Sequence, residues 1–349
     1  MIRLGQRIAA REATCFTVAR SCASARHALW RRVTACVMVG VMYFAPAVFL
    51  ADEVAHAAPI VDPGAPVGDV TVNVNGGDGS FTNTNGQILG QNSLTVNLPN
   101  QTVDPSAATF GTLNGGSAFD LSAQAISNSG AWVLPGTAVT VTTTQGLTNA
   151  GTITVNDLTI DGALANQAGA TVQANDAFTL TGTGASTNAG TVEATNTLNI
   201  TGASYDNSNG STLAGNSSSP AGSGNLDLNL TGDLTNAGGT LNVYAGGNLT
   251  VNAPITYAQG VTGYSVINQD QGFKAFFGST WAEIIATDVG GGFTADGLVT
   301  LTGDGVIDGG YFAGARGVSA TGGITTVRAP TTTPVQLGEH LGLTTWWWR

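Results

Sequence analysis

The chain has 349 residues, including 49 Gly, and only 9% of its residues are charged, with 22 acidic against 11 basic side chains. Globular proteins usually have about 25% charged residues, so this composition argues against a charge-rich helical bundle, a coiled coil or a charged disordered tail. The length would allow two or three domains. After the first sixty residues, however, the sequence repeats one theme of short strand-like phrases.

The first part of the chain has the features of a long signal peptide. Seven of the ten Arg residues and all three Cys residues precede residue 40, and an apolar run follows over 33–50. Ala55 and Ala57 then occupy the small positions of an Ala-x-Ala cleavage site. We therefore expect residues 1–57 to direct export through the inner membrane and to be removed after Ala57. A membrane anchor is the alternative, because an apolar run of about 18 residues reaches the lower limit for a spanning helix.

The part after residue 57 is acidic, with 4 basic against 19 acidic side chains. This balance argues against nucleic acid as a partner, because binding to phosphates requires Lys and Arg. No Cys follows Cys36, so neither disulfides nor a thiol catalyst can operate in this part. Clustered zinc ligands and a Gly-Lys-Ser phosphate loop are missing from the sequence, and we expect no cofactor and no metal.

Residues 58–145 form a less regular region with strand-like phrases at 70–74 and 94–98. A solenoid needs an atypical segment over its first coil, and this region is placed to supply one. We expect it to be an N-terminal cap.

Residues 146–252 contain five related phrases, each with two runs of alternating apolar and polar residues. Their glycines are spaced by 18, 21, 20 and 29 residues: Gly151, Gly169, Gly190, Gly210 and Gly239. Alternation with Val, Ile, Leu, Phe and Thr is typical of half-buried strands. No phrase is long enough to bury its own apolar face, so the phrases must stack coil on coil. The sequence therefore predicts an all-β fold, a right-handed parallel β-helix with coils of about 20 residues.

The phrase Asn-Ala-Gly recurs at the expected turns of this β-helix. Asn and Gly tolerate the left-handed backbone that sharp turns require, and stacked Asn side chains can form a hydrogen-bonded ladder. The predicted turn ladder consists of Asn149, Gly151, Asn188, Gly190, Asn236 and Gly238. Contacts to a polar ligand are the alternative role of these Asn residues.

The C-terminal part changes character. Residues 253–330 are richer in aromatics, which fill a coil interior or form an exposed strip for sugars or proteins. Residues 331–349 break every earlier pattern and contain three adjacent Trp at 346–348. Adjacent exposed Trp side chains are unfavourable on the surface of a soluble protein. We expect an irregular tail that is translated from a different reading frame than the preceding residues. The alternative is a tail that binds a membrane or a partner.

The repeat phrases at 188–194 and 198–202, with the Gly-Gly-Asn-Leu-Thr-Val of 246–251, resemble those of filamentous haemagglutinin-like adhesins. These are two-partner secretion exoproteins of Gram-negative bacteria. The resemblance implies an N-terminal or truncated fragment of a secreted or cell-surface adhesin that binds a host or bacterial surface glycan or protein. It also implies recognition by a partner outer-membrane transporter. Asn83, Asn85 and Gly86 are then the candidate secretion motif.

Two other functions stay open at this point. One is the stalk of a contact-dependent inhibition toxin, and the other is a polysaccharide-active lyase or glycosidase, because parallel β-helices also support such enzymes. A glycosidase needs two carboxylates about 5–9.5 Å apart, and Asp304 and Asp308 would share one face of a strand. Solvated turn acids explain this pair more simply, and we expect no catalytic activity.

Overall fold

The computed structural model describes residues 47–50, 68–74, 80–269, 279–330 and 335–343. Side chains are not described at 47–50, 264–269, 279–287 and 335–343. The expected cleavage site at Ala55 and Ala57, most of the signal peptide and Trp346–Trp348 lie outside the described residues.

The described residues form strands and no helix, and most strands pair in parallel between coils of about 21 residues. This arrangement confirms the predicted fold class, a parallel β-helix. The chain divides into two compact units. Unit 1 contains the described residues up to 165 together with 170–182, and unit 2 contains 166–169 and the described residues from 183 onward.

Unit 1 is built from twelve strands, of which β10 gives its last residue to unit 2. They are β1 (Ala47–Leu50), β2 (Asp69–Asn73), β3 (Gln87–Leu89), β4 (Ser93–Val103), β5 (Thr112–Asn114), β6 (Ala118–Asn128), β7 (Ala131–Thr143), β8 (Leu147–Asn149), β9 (Thr152–Asp161), β10 (Leu164–Asn166), β11 (Thr171–Ala174) and β12 (Phe178–Thr181).

The core of unit 1 consists of apolar rows that run from coil to coil. The parallel register aligns six buried residues of one row: Val70, Leu94, Phe119, Val139, Leu158 and Phe178. Paired strands lie about 4.8 Å apart, so each side chain of the row packs directly on the next one. The alternation in the sequence places these residues inward and leaves their neighbours at the surface.

Unit 2 repeats this plan with shorter strands. They are β13 (Ala185–Asn188), β14 (Thr191–Ala194), β15 (Leu198–Gly202), β16 (Ser204–Asp206), β17 (Ser211–Ala214), β18 (Leu226–Leu230), β19 (Leu234–Ala237), β20 (Thr240–Val243), β21 (Leu249–Asn252), β22 (Ile255–Gln259), β23 (Val261–Gln269), β24 (Ser279–Val289), β25 (Gly292–Ala295), β26 (Val299–Leu301), β27 (Asp304–Asp308), β28 (Tyr311–Gly314), β29 (Val318–Ala320), β30 (Gly323–Arg328) and β31 (Val335–Leu343).

One feature of unit 2 departs from the coil pattern. Strands β23, β24 and β31 form a separate antiparallel sheet with β24 in the middle. Strands β23 and β24 are inserted between β22 and β25, which belong to successive coils, since β20 and β25 pair in parallel. Strand β31 follows β30 in the sequence and joins this sheet by pairing with β24. Residues 335–343, within the segment expected to be irregular, thus form strand β31.

Candidate functional site

The outer surface of β2, β4, β6, β7, β9 and β12 in unit 1 carries two aligned rows of polar side chains, which we call the polar face. The first row consists of Thr71, Thr95, Asp120, Thr140, Thr159 and Thr179. The second row consists of Asn73, Asn97, Ser122, Thr142, Asp161 and Thr181. These residues alternate with the buried apolar rows, so the strand pattern itself turns them outward.

The backbone fixes the spacing of the polar face. Hydroxyl, amide and carboxylate groups recur every 4.7–4.9 Å or so along each row, and the two rows are roughly 6.6 Å apart. In the second row, the Asn97 Nδ2 donates to the Asn73 Oδ1 at 2.5 Å. The result is a regular array of donors and acceptors held by a rigid sheet.

The polar face is electronegative. Asp120 and Asp161 lie in its rows. Asp69 and Asp157 lie beside the rows, each at the first residue of a segment that pairs with the preceding or following strand. The described residues of unit 1 contain no Lys or Arg. The surface therefore disfavours anions.

The Asn residues of the repeat lie inside the coils. In unit 1 the Asn128 Nδ2 donates to the Asn149 Oδ1 at 2.8 Å. In unit 2 the Asn166, Asn188, Asn207 and Asn236 side chains continue from one to the next, with Nδ2–Oδ1 distances of 2.8, 2.8 and 3.0 Å. All six side chains are at most 1% exposed. They are therefore closed to a ligand, which disfavours the alternative of ligand contacts.

Asn149, Asn188 and Asn236, singled out from the sequence, are three of these six residues. The prediction that these Asn residues have a left-handed backbone is wrong. Among the described residues, positive φ angles outside Gly occur at Asn85, Asn209 and Ala245. The ladder Asn residues instead occupy inward strand positions, because alternation places them on the same side as the apolar residue two positions earlier.

The three glycines of the predicted turns differ from one another. The Gly151 and Gly190 amides donate to the side-chain oxygens of Asn149 and Asn188, at 3.3 and 3.1 Å. A Cβ at Gly151 would lie 2.0 Å from the Gly130 carbonyl oxygen, so Gly151 is required by the close approach of two coils. Only Gly238 has the expected left-handed backbone, with φ +69°.

The candidate secretion motif forms a tight turn in unit 1. The Gly86 amide donates to the Asn83 carbonyl at 2.8 Å, and Asn85 has φ 56°, as the third position of a type II turn requires. The Asn83 side chain is 1% exposed and donates to the Phe110 carbonyl at 3.2 Å. A binding partner of the folded turn would therefore contact Asn85, which is exposed, and not Asn83.

The candidate carboxylate pair of unit 2 does not converge. Asp304 and Asp308 lie at opposite ends of β27, with their Cα atoms about 13 Å apart at roughly 3.3 Å per residue, which is a wide separation for two carboxylates that act on one glycosidic bond. Asp308 accepts from the Arg328 Nε at 3.0 Å. The Arg328 Nη1 donates to the Asp288 Oδ1 at 2.5 Å, and its Nη2 donates to the Gly260 carbonyl at 2.9 Å. Arg328 thus clamps the base of the inserted hairpin to the coils.

The described aromatics of 253–330 divide between interior and surface. Phe293 is fully buried, and its ring lies 4.9 Å from that of Phe312. Tyr311 is 42% exposed. Tyr264 and Trp281 belong to β23 and β24, where side chains are not described.

Among the described residues, no group of three or more His, Cys, Asp or Glu side chains is arranged to hold a metal ion. The described part of the chain also has no helix long and apolar enough to span a membrane. Comparisons with protein-family models, curated proteins and solved structures gave no match for this chain.

Proposed function

We propose that the chain is a non-catalytic β-helical adhesin, exported to the surface of a Gram-negative bacterium, and that the polar face of unit 1 binds a surface glycan. The observation that carries the proposal is the repetition of that face over six coils. A glycan is itself a repeating polymer of hydroxyl groups, and each coil offers it two polar side chains at the same spacing.

Multivalency supplies the affinity. One hydroxyl or amide contact is worth about 0.5–1.5 kcal/mol net, because the protein exchanges water for ligand. Several weak contacts on one rigid surface add through a high effective concentration. A face without cations suits a neutral glycan better than a sulfated or uronate-rich one.

The test is binding of the full chain to an array of neutral and anionic glycans. Thr142→Tyr would place a bulky ring on the polar face and should reduce binding at least tenfold. Thr152→Tyr is the matched control, because Thr152 is an equally exposed Thr of unit 1 on a different face of the coils. Equal binding by both variants would contradict glycan binding at the polar face. Release of sugar ends during the assay would favour the enzyme alternative.

Export is the second part of the proposal, with an outer-membrane transporter of the two-partner type as the partner. The exposed Asn85 within a rigid turn supports it. Asn85→Gly removes the side chain and keeps the positive φ, so the fold should persist. Loss of secretion in this variant, with normal accumulation inside the cell, is the expected result. Unchanged secretion would exclude recognition through this side chain.

A further inference from the structure

The last coil of unit 2 that pairs in parallel is formed by β28, β29 and β30. Within the described residues these strands pair with β25, β26 and β27 on one side. Their outer edges have no strand partner among the described residues. We call the surface formed by these edges and the side chains beneath them the end face.

The end face exposes residues that stand in core positions. Val318 is in register with Val299, and Ala320 with Leu301, and both residues of the preceding coil are fully buried. Val318 itself is 38% exposed. The apolar core row therefore continues into the last coil, and no described residue covers that coil.

Ile324 repeats this relationship on the third strand. It is in register with Gly305, and its Cγ1 would lie 3.3 Å from a Cβ at that glycine, as would the Phe312 ring. Both side chains thus point into the coil. Ile324 is nevertheless 44% exposed. An open core and unpaired strand edges together form a strong template for association.

We infer that the end face binds the end face of a second copy of this chain, so that the protein dimerises through its last parallel coil. A surface that covers the end face must offer free strand edges along its three sides and apolar residues at its centre, because these are the groups that the end face leaves unpaired. A second copy carries such a surface. The contact is self-complementary and closes at two copies.

The geometry defines the pairing. With a two-fold axis through β29, that strand pairs with β29 of the second copy in antiparallel orientation, and β28 pairs with β30. This places the aromatic strand, with Tyr311 and Phe312, against the β-branched strand, with Ile324 and Val327. Aromatic and β-branched residues are favourable cross-strand pairs. Residues 309–330 contain no Asp or Glu, so no carboxylate is buried in the contact.

The first test is the mass of the full chain in solution, by light scattering and sedimentation. We expect a dimer. Ile324→Lys should raise the dissociation constant of this dimer at least tenfold, because a lysine charge cannot be buried unpaired. Val133→Lys is the matched control, since Val133 is an exposed apolar strand residue of unit 1, at 51% exposure. It should leave the dimer intact.

The second test reports the position of the axis. Ser319, at the centre of β29, would lie opposite its own copy, where antiparallel Cα atoms are about 4.5–5.5 Å apart. Ser319→Cys should therefore form a disulfide-linked dimer under mild oxidation, and Thr148→Cys should not exceed the wild-type background. A monomeric wild type, an unaffected Ile324→Lys dimer with a native circular dichroism spectrum, or open-ended polymers would each overturn the proposal.

Discussion

The side-chain amide of Asn188 donates to the side-chain oxygen of Asn207, 2.8 Å away and one coil further along unit 2. The same Nδ2 also donates to the Ser211 carbonyl at 3.0 Å. One buried amide thus bonds to the side chain and to the backbone of the following coil. Polar groups in a core normally weaken it, but these are paired on both sides and fix the register between coils.

Replacement of Asn207 by Leu should strongly destabilise unit 2. The substitution leaves a donor of Asn188 and the acceptor of Asn236 without their ladder partner, and each orphaned buried group costs about 1–3 kcal/mol. We expect a loss of about 2–5 kcal/mol, measured by denaturant unfolding. Asn229→Ala is the control: Asn229 is an exposed Asn of β18, and its replacement should change stability by less than about 0.5 kcal/mol. Equal effects would mean that the ladder adds no stability.

Replacement of Gly151 by Ala should also destabilise the protein, by a steric mechanism. The new methyl group would lie 2.0 Å from the Gly130 carbonyl oxygen, so two coils would have to separate. We expect a cost of about 1–3 kcal/mol, in the range for overpacking. At Gly136 an added Cβ meets nothing within 4 Å, so Gly136→Ala should leave the thermal midpoint almost unchanged.

Acid should weaken unit 1 partly through Asp104. Burial alone would raise the pKa of Asp104, but hydrogen bonds from Ser106 and Ser129 outweigh it and hold that pKa below its ordinary value of 3.8. A depressed folded-state pKa contributes stability that is fully present above pH 3.8 and is lost as the pH falls through the folded-state pKa. Asp104→Asn should therefore show a smaller loss of thermal midpoint between pH 5 and about pH 2 than the wild type. Parallel curves for the two proteins would contradict this role.

Arg328 should stabilise the inserted hairpin against local opening more than it stabilises the coils against global unfolding. Its ion pair with Asp308 is screened by water, because the two side chains are 41% and 38% exposed, and it adds little to global stability. The Asp288 side chain is only 2% exposed, so loss of Arg328 leaves a buried carboxylate without its cation. Opening of the hairpin base lets water reach that carboxylate, which confines most of the cost to the hairpin. We expect Arg328→Met to speed hydrogen exchange at 260–263 and 288–289 while the unfolding midpoint stays nearly constant. Arg316→Met, at an exposed arginine of the same unit, should change neither quantity.

The sequence predicts the coils well because the strands of the coils follow a local rule of alternation. Alternation alone identifies inward residues such as Leu158 and Phe178, and the parallel register then follows from the repeat length. The prediction does not include Asn128, Asn166 and Asn207 as ladder members, because none of them stands in an Asn-Ala-Gly phrase. The pattern of an inward residue, any residue and then Asn, as in Leu164-Ala165-Asn166, would have identified them.

The inserted sheet could not be predicted in the same way. Strand β24 pairs with β31, and more than forty residues separate their starts along the sequence. Such pairing depends on tertiary contacts and leaves no periodic signal. The polar face cannot be predicted in this way either. Its Thr and Asn residues indicate only strands, and their alignment over six coils appears once the register of each pair is known.

The ladder of unit 2 has a direction. Every amide points its N–H group toward the coil that follows, and the last one, Asn236, donates to the Gly292 carbonyl at 3.0 Å. A reversed coil inserted within this row would have to turn its amide over to keep the row paired, so the row favours stacking in one sense. Because the row stops at Gly292, the coil of β28–β30 carries no such polarity. The ladder therefore gives no direction to the end face, which is where the proposed dimer places a coil that runs the opposite way.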